Sequence, residues 1–196
     1  MRVIWLLLIP AYLMGTFPTA VMIGRSKGVD ITQVGSGNPG ASNVARTFGT
    51  TWGVLVFVID GLKGAIPAAV GIALDNRPLA YGMVGAAVLG HMFPVTRGLR
   101  GGKGVATMAG AVLVLHPVVF LALLMVWAVV RKLTAKASIG SMAIAVLMPV
   151  GVTVSGRPWW ETVGAAALAA LVMVRHVDNI KRLVRGTELS ASGPSR

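Results

Sequence analysis

Long runs of apolar residues alternate with short polar segments along this chain of 196 residues. Runs of about 20 apolar residues are long enough to cross the ~30 Å hydrocarbon core of a bilayer as helices. The pattern therefore predicts an all-α, polytopic membrane protein. The apolar runs cover about residues 3–23, 52–74, 79–95, 104–131, 137–154 and 159–177.

The fourth run carries His116 and Pro117 in its middle. Proline interrupts a helix, because it lacks an N–H donor and clashes with the preceding turn. We therefore expect two helices here, of which the first, over 104–115, is only ~18 Å long at 1.5 Å per residue. Such a half-helix cannot cross the bilayer alone, but its small residues allow neighbouring helices to pack closely. With this division the chain has seven transmembrane helices.

The distribution of basic residues tests that division. With the run divided and the N-terminus outside, fourteen Lys and Arg residues lie in cytoplasmic segments and only Arg2, Arg77 and Arg157 in external ones. Without the division, seven lie inside and ten outside. Short cytoplasmic loops carry the excess of positive charge in membrane proteins. The charge pattern therefore favours seven helices with the N-terminus out and the C-terminus in.

Composition agrees with a membrane protein, since 55% of the residues are hydrophobic and 12% are charged. The net charge of +12 falls in short clusters between apolar runs, which favours contact with membrane lipids over nucleic acid. Cysteine is absent, which excludes thiolate metal sites, and the three histidines are far apart in sequence, so we expect no zinc site. One transmembrane domain over 1–188 and a disordered tail over 189–196 are predicted.

The first polar loop, residues 34–46, is punctuated by glycines in an otherwise apolar chain. Glycines allow sharp turns and bring backbone N–H groups close to a ligand. Hydroxyl, amide and guanidinium groups add donors suited to phosphate oxygens or to a developing oxyanion. A flexible connector would need only one or two of these residues, so a ligand-binding loop is favoured. The candidate binding residues are Gly35, Ser36, Gly37, Asn38, Gly40, Ser42, Asn43 and Arg46.

The second polar loop, residues 91–107, contains two glycines, a lysine and a further glycine directly before the predicted half-helix. Free backbone N–H groups, the positive end of the helix dipole and the lysine would converge there on an anion. The spacing of a Walker P-loop is absent, and a tight turn with a headgroup-facing lysine is the alternative. The candidate residues are His91, Gly101, Gly102, Lys103, Gly104 and Thr107.

The third polar segment, residues 175–188, follows the last apolar run. His176 and Asn179 are three positions apart, so we expect them to share one helical face and to face a site. Lys181 and Arg185 are expected to meet lipid headgroups.

Two ionisable residues, Asp60 and Lys63, lie deep in the second apolar run. Ionisable groups at that depth must be paired or line a cavity. Their spacing suggests mutual pairing, which leaves open whether they are structural or secondary members of the site. His116, before Pro117, is interpreted as structural.

In this order and spacing, the polar segments resemble the three signatures of the bacterial acyl-phosphate:glycerol-3-phosphate acyltransferase family, an integral membrane family. The matching stretches are GSGNPGASNVAR (35–46), GHMFPVTRGLRGGKGVAT (90–107) and RHVDNIKRLVRGTE (175–188). Ser42 stands where the family often has Thr, and Arg100 stands where Lys is usual. The resemblance implies acyl transfer from acyl phosphate to the 1-hydroxyl of sn-glycerol 3-phosphate, the first step of bacterial phospholipid synthesis. It also implies a site at the cytoplasmic face of the plasma membrane and no requirement for metal. We expect no cofactor and no obligatory protein partner.

The same resemblance assigns roles to the candidates. Ser36 and Arg46, with Asn38 and Asn43, would hold the phosphate and polarise the acyl carbonyl. Lys103 and the glycine turn would take the glycerol phosphate, with His91 nearby. The predicted catalytic residues are Ser36, Arg46, Lys103, His176 and Asn179.

The proton acceptor has two candidates, His176 and a phosphate oxygen of the substrates. We favour the phosphate, because acyl phosphate is already activated and no histidine here has an aspartate five positions later. A transporter of phosphorylated solutes is the rival from another class, although it is expected to show inverted repeats and polar groups near the midplane. A non-catalytic scaffold is a further alternative, but it would not need Ser, Asn and His clustered on one face.

Overall fold

The computed structural model describes residues 2–191, and within these residues all of the regular secondary structure is helical. The all-α prediction is thereby confirmed. Short 3-10 helices lie over Arg2–Leu7 and Val95–Arg97. The α-helices in the described part are α1 (Leu8–Gly15), α2 (Thr19–Ser26), α3 (Ala41–Phe48), α4 (Thr50–Ala73), α5 (Arg77–Met92), α6 (Val105–Leu115), α7 (Pro117–Thr134), α8 (Ala137–Val154), α9 (Trp159–Arg175) and α10 (Val177–Val184).

Among the described residues, five helical stretches are long and apolar enough to cross a membrane. A sixth is obtained when α9 and α10, which meet at a bend of 53°, are counted together. Helix α6 is apolar but shorter than a span. The count of seven transmembrane helices and the orientation of the termini therefore stay predictions. The five long stretches are Val3–Ser26, Thr50–Ala73, Arg77–Arg97, Pro117–Thr134 and Ala137–Val154.

The predicted break in the fourth apolar run is confirmed. Helix α6 ends at Leu115, His116 has non-helical backbone angles, and Pro117 is the first residue of α7. Proline at this first position sacrifices no hydrogen bond, because the N–H there would have no partner within the helix. The first apolar run is also interrupted, which the sequence pattern missed. Helices α1 and α2 are separated at Thr16–Pro18, where Pro18 prevents a continuous helix.

The described residues divide into two compact units, 2–115 and 116–191. In the first unit, α4 packs against α3, α5 and α6, and α1 packs against α5. Glycines make the α4–α6 contact close, since a Cβ on Gly64 would collide with the Thr107 carbonyl and one on Gly110 with the Gly61 carbonyl. The small residues of α6 therefore serve the close packing that the sequence predicted.

In the second unit, α8 packs against both α7 and α9. His116 and Glu161 are buried in this unit, and their side chains approach to 3.3 Å between Nε2 and Oε2. Large apolar side chains on the helix surfaces are exposed, for example Val118 at 78% and Met125 at 70%. Such surfaces are expected where lipid replaces water as the solvent.

The predicted disordered tail is only partly covered by the described residues. The backbone N–H of Ala191 donates to the Ala135 carbonyl at 2.7 Å, so the beginning of that tail is attached to the end of α7. Residues 192–196 lie outside the described residues. The single domain predicted over 1–188 stays a prediction.

Candidate functional site

Three candidate residues of the first polar loop lie in contact with one another. Arg46, on α3, directs its Nη2 to the Ser36 hydroxyl oxygen at 3.3 Å and to the Asn43 amide oxygen at 3.4 Å. Ser36 and Arg46 are only partly buried. A hydroxyl and a guanidinium side by side at an accessible position can contact a phosphate or carbonyl oxygen together.

Asn43 organises this loop from inside. It is 1% exposed, and its Nδ2 donates to the carbonyls of Ile31 at 3.1 Å and Val34 at 2.9 Å. Its Oδ1 accepts the Ser36 backbone N–H at 2.9 Å. Because both ends of the amide are engaged with the loop, Asn43 shapes the position of Ser36 instead of lying open to a ligand.

The glycines of the loop have distinct reasons for being there. Gly35 and Gly37 have φ values of 58° and 68°, which side chains rarely adopt. Gly40 precedes α3, and its carbonyl accepts the backbone N–H groups of Asn43 and Val44. Asn38 is partly buried, and its side-chain amide lies beside Gly40. Ser42 is exposed in the first turn of α3.

The second polar loop differs from expectation in its hydrogen bonds. Gly101 and Gly102 donate their N–H groups to the carbonyls of Met92 and His91 at 3.1 and 3.0 Å. A Cβ on Gly101 would collide with the His91 carbonyl, and one on Gly102 with the His91 Nε2 atom. The expectation of free N–H groups at these two glycines is therefore wrong. They are glycines because the turn lies directly against the end of α5.

The groups of this loop that can bind an anion lie after Gly102, at Lys103 and the start of α6. Gly104 has a φ of 79°, and it separates the half-buried Lys103 from Val105, the first residue of α6. The first N–H groups of a helix have no acceptor within it and carry its positive dipole end. Thr107, by contrast, is fully buried, and its hydroxyl has no hydrogen-bond partner among residues 2–191. Its place in the substrate-binding set stays a prediction.

Asp60 and Lys63 form the ion pair that the sequence suggested. Lys63 Nζ lies 2.6 Å from Asp60 Oδ1, and both residues are at most 4% exposed. Lys63 also donates to the Phe17 carbonyl at 2.6 Å, and Thr19 donates its hydroxyl to Asp60 Oδ1 at 2.9 Å. The pair therefore connects α4 to the break between α1 and α2.

This pair lines a narrow polar cleft in the first unit, which encloses about 10 Å³, about the space of one water molecule. Pro39 of the first polar loop and Gly102 of the second also line it. The structure thus brings the two polar loops to one place. Arg97, which is not among the candidate residues named from the sequence, also lines the cleft. The lining residues are Gly15, Thr16, Phe17, Pro18, Thr19, Ala20, Pro39, Asp60, Lys63, His91, Pro94, Arg97 and Gly102.

The third polar segment begins at the bend between α9 and α10. His176 lies at this junction, is 2% exposed, and has its Nδ1 2.8 Å from the Val172 carbonyl oxygen. Asn179 is buried in the first turn of α10. The two residues therefore do not belong to one continuous helix, because the chain changes direction between α9 and the rest of the segment.

Glu188 is the residue of this segment that the site prediction missed. Its carboxylate accepts from Asn179 Nδ2 at 2.6 Å and from Arg182 Nε at 2.7 Å. Burial by itself would raise the pKa of Glu188, but the donors around the carboxylate hold that pKa below its ordinary value. The only sequence signal was an acidic residue at the end of an otherwise basic segment.

Comparisons with known proteins agree over nearly the whole chain. The family model for glycerol-3-phosphate acyltransferases matches residues 5–186. The glycerol-3-phosphate acyltransferase of Shewanella halifaxensis (strain HAW-EB4) is 40% identical over 192 residues, covering 95% of this chain and 94% of that protein. That of Aquifex aeolicus (strain VF5) is 40% identical over 185 residues, covering 93% of this chain and 96% of that protein.

Two solved structures are similar to this one. The crystal structure of PlsY (YgiH), an integral membrane glycerol 3-phosphate acyltransferase, in its glycerol 3-phosphate form has a TM-score of 0.92 and 39% sequence identity. Its lysophosphatidic acid form has a TM-score of 0.89 and 38% identity. Each comparison covers 95% of this chain and 94% of the other.

Proposed function

The chain belongs to the glycerol-3-phosphate acyltransferase family, and from that premise we propose that it transfers a fatty acyl group from acyl phosphate to the 1-hydroxyl of sn-glycerol 3-phosphate. The products are lysophosphatidic acid and inorganic phosphate. It is an acyltransferase and an integral membrane protein, and its reaction begins phospholipid synthesis. We place it in the bacterial plasma membrane with the reacting groups at the cytoplasmic face, because the basic segments lie on that side in the charge-derived topology.

One observation carries the proposal, namely that both polar loops line one cleft. Pro39 lines the cleft from the first loop, and His91 and Gly102 line it from the second. The proposed reaction joins two substrates that each carry a phosphate group. Two neighbouring sets of anion-binding groups are therefore what the reaction requires, since the substrates must be held with their reacting atoms in contact.

The first loop supplies the groups for the acyl phosphate. Arg46 and Ser36, which touch each other, contact a phosphate oxygen and the acyl carbonyl oxygen, and Asn43 holds them in place. The hydroxyl and guanidinium stabilise negative charge as it develops on the carbonyl oxygen. Gly35, Gly37, Asn38, Gly40 and Ser42 complete this loop and the start of α3.

The second loop supplies the groups for glycerol 3-phosphate. Lys103 and the first N–H groups of α6 bind its phosphate, and Gly101, Gly102 and Gly104 keep the turn against α5. His91 lies against the same turn. Thr107 is buried in the first turn of α6, where Gly64 of α4 packs against its backbone carbonyl.

The chemical step requires no covalent enzyme intermediate. The 1-hydroxyl oxygen of glycerol 3-phosphate attacks the acyl carbon, the new ester bond forms, and the bond from the acyl carbon to the phosphate oxygen breaks. The hydroxyl proton goes to a phosphate oxygen. His176 and Asn179 are the other two proposed catalytic residues. His176 Nδ1 lies 2.8 Å from the Val172 carbonyl oxygen, and Asn179 donates its amide to Glu188. A carbonyl partner orients His176 but stabilises an imidazolium less than a carboxylate would, which supports the phosphate as proton acceptor.

The decisive experiment supplies purified protein with acyl phosphate and glycerol 3-phosphate and measures lysophosphatidic acid and phosphate. We expect equimolar formation of both products, with no requirement for added metal or for a protein partner. Acyl-CoA and acyl-carrier protein serve as alternative donors, and they are expected to fail. Uptake of glycerol 3-phosphate into protein-containing vesicles, without any acylated product, would instead support a transporter.

A further inference from the structure

The ion pair of Asp60 and Lys63 has more partners than neutralisation requires. Both groups lie within the membrane span of α4, where an ionised side chain is expensive unless it is paired. A pair on one helix could have been satisfied by its own contact at 2.6 Å. Instead Asp60 accepts from Thr19, and Lys63 donates to the Phe17 carbonyl. The pair therefore holds the interrupted first span against α4.

The same carboxylate also faces the second polar loop. Asp60 Oδ1 lies 4.0 Å from His91 Nδ1, and both side chains are at most 8% exposed. At that separation the carboxylate faces the imidazole ring across the cleft, with little solvent between them. His91 is at the end of α5, so this contact connects the middle of α4 to the start of the second polar loop.

His91 also contacts the glycine turn directly, through both its ring and its backbone. The Nε2 edge of its ring lies against Gly102, where a Cβ would collide with that atom. Its backbone carbonyl accepts the Gly102 N–H at 3.0 Å. Lys103 is the next residue along the chain. Any rotation of the His91 ring or shift of its backbone is therefore transmitted directly to the turn that carries the lysine.

We propose that Asp60 and Lys63 are positioning residues for glycerol 3-phosphate, which act by holding His91 and, through it, the Gly101–Gly104 turn. This inference rests on the proposed function. The pair touches neither substrate. Lys63 keeps the carboxylate in place and neutralises it, and Asp60 fixes the His91 ring. Loss of the carboxylate therefore impairs capture of glycerol 3-phosphate and leaves the acyl phosphate side unaffected.

The test compares wild-type protein with Asp60→Asn, Lys63→Met and the double variant. Each single variant leaves one buried charge without its partner, so both should melt at a lower temperature. The double variant removes both charges and should regain most of that loss. We nevertheless expect its KM for glycerol 3-phosphate to be about 10- to 100-fold higher, because small misplacements have effects of this size. Its KM for acyl phosphate should be unchanged.

A double variant whose KM for glycerol 3-phosphate returns to the wild-type value would overturn the proposal, because charge pairing alone would then explain the residues. If the double variant does not fold, Thr19→Val tests the same positioning role. It removes one donor to Asp60 without creating a buried charge. A raised KM for glycerol 3-phosphate in Thr19→Val supports the proposal, and an unchanged KM contradicts it.

Glu161→Gln is the matched control, because it alters the other buried carboxylate and histidine pair, with His116. Its melting temperature should fall while its KM for glycerol 3-phosphate stays at the wild-type value. An equal rise in KM there would show a general effect of destabilisation and overturn the proposal. Turnover of the wild-type protein distinguishes failure of the positioning role from failure of the proposed function. If wild type forms no lysophosphatidic acid, the proposed function itself is wrong.

Discussion

Asn179 donates its side-chain amide to the Glu188 carboxylate across 2.6 Å, and this bond attaches the start of α10 to the segment that follows it. Arg182 donates to the second carboxylate oxygen at 2.7 Å. One buried carboxylate thus holds both an asparagine predicted to be catalytic and an arginine on the same short helix.

Glu188→Ala leaves the Asn179 amide and the Arg182 guanidinium without this acceptor. Unsatisfied buried donors cost about 1–3 kcal/mol, so the free energy of unfolding should fall by that amount. The melting temperature of the purified protein measures this. Asp178→Asn is the control, because Asp178 is exposed and lies 4.0 Å from Lys181, and it should leave the melting temperature unchanged. A similar loss in both variants would contradict a specific role for Glu188.

Glu188 also predicts a pH dependence of stability. Its pKa in the folded protein lies below the ordinary value of 4.5, so the folded state binds its proton less readily than the unfolded state. The stabilisation is therefore fully present above pH 4.5 and is lost as the pH falls through the lower folded pKa. Melting temperatures measured from pH 7 downward should show this loss in wild type and lack it in Glu188→Gln.

Arg46→Ala and Lys103→Ala should each reduce acyl transfer by about 100-fold or more while the protein still inserts and folds. Loss of a charged ligand to a reacting group removes stabilisation that the transition state needs most. Arg185→Ala is the control, because Arg185 is exposed at the end of α10. Turnover with both substrates provides the measurement. Equal losses in all three variants would indicate a general effect of charge.

Gly102→Ala should raise the KM for glycerol 3-phosphate, because the added methyl group would collide with His91 Nε2. Gly85 is the matched control on α5, since a Cβ there meets nothing within 4 Å. Gly85→Ala should leave the KM unchanged and stabilise the helix by about 0.5–1 kcal/mol. Steady-state kinetics and melting temperatures of both variants check the prediction, and an unchanged KM in Gly102→Ala would contradict it.

His176→Gln distinguishes the two proton acceptors. Glutamine retains hydrogen bonding but cannot act as a base, so appreciable activity with an unchanged acidic limb is expected if a phosphate oxygen accepts the proton. A general base would produce a limb near the ordinary histidine pKa of ~6.5. The measurement is the pH–rate profile of the variant beside that of wild type. Loss of about three decades of turnover, with folding and substrate binding intact, would assign the base to His176.

The sequence alone determined the helical class, the break at His116 and Pro117, and the pairing of Asp60 with Lys63. These features depend on local properties, namely apolar run length, proline, and spacings of three or four residues along a helix. Such signals are readable without knowing which helices are neighbours.

Only the tertiary structure decided how Asp60 is connected to His91, why Gly101 and Gly102 are glycines, and what Asn43 and Glu188 do. Each of these depends on a contact between segments far apart in the chain. The sequence pattern suggested free N–H groups at the glycine turn, but the end of α5 lies against that turn and accepts two of them. The sequence pattern also suggested that Asn43 is one more polar donor to a ligand. In the structure Asn43 is buried and donates to the Ile31 and Val34 carbonyls, so it belongs to the interior of the loop. Which polar groups face a ligand depends on which are already bonded within the protein, and packing alone determines that.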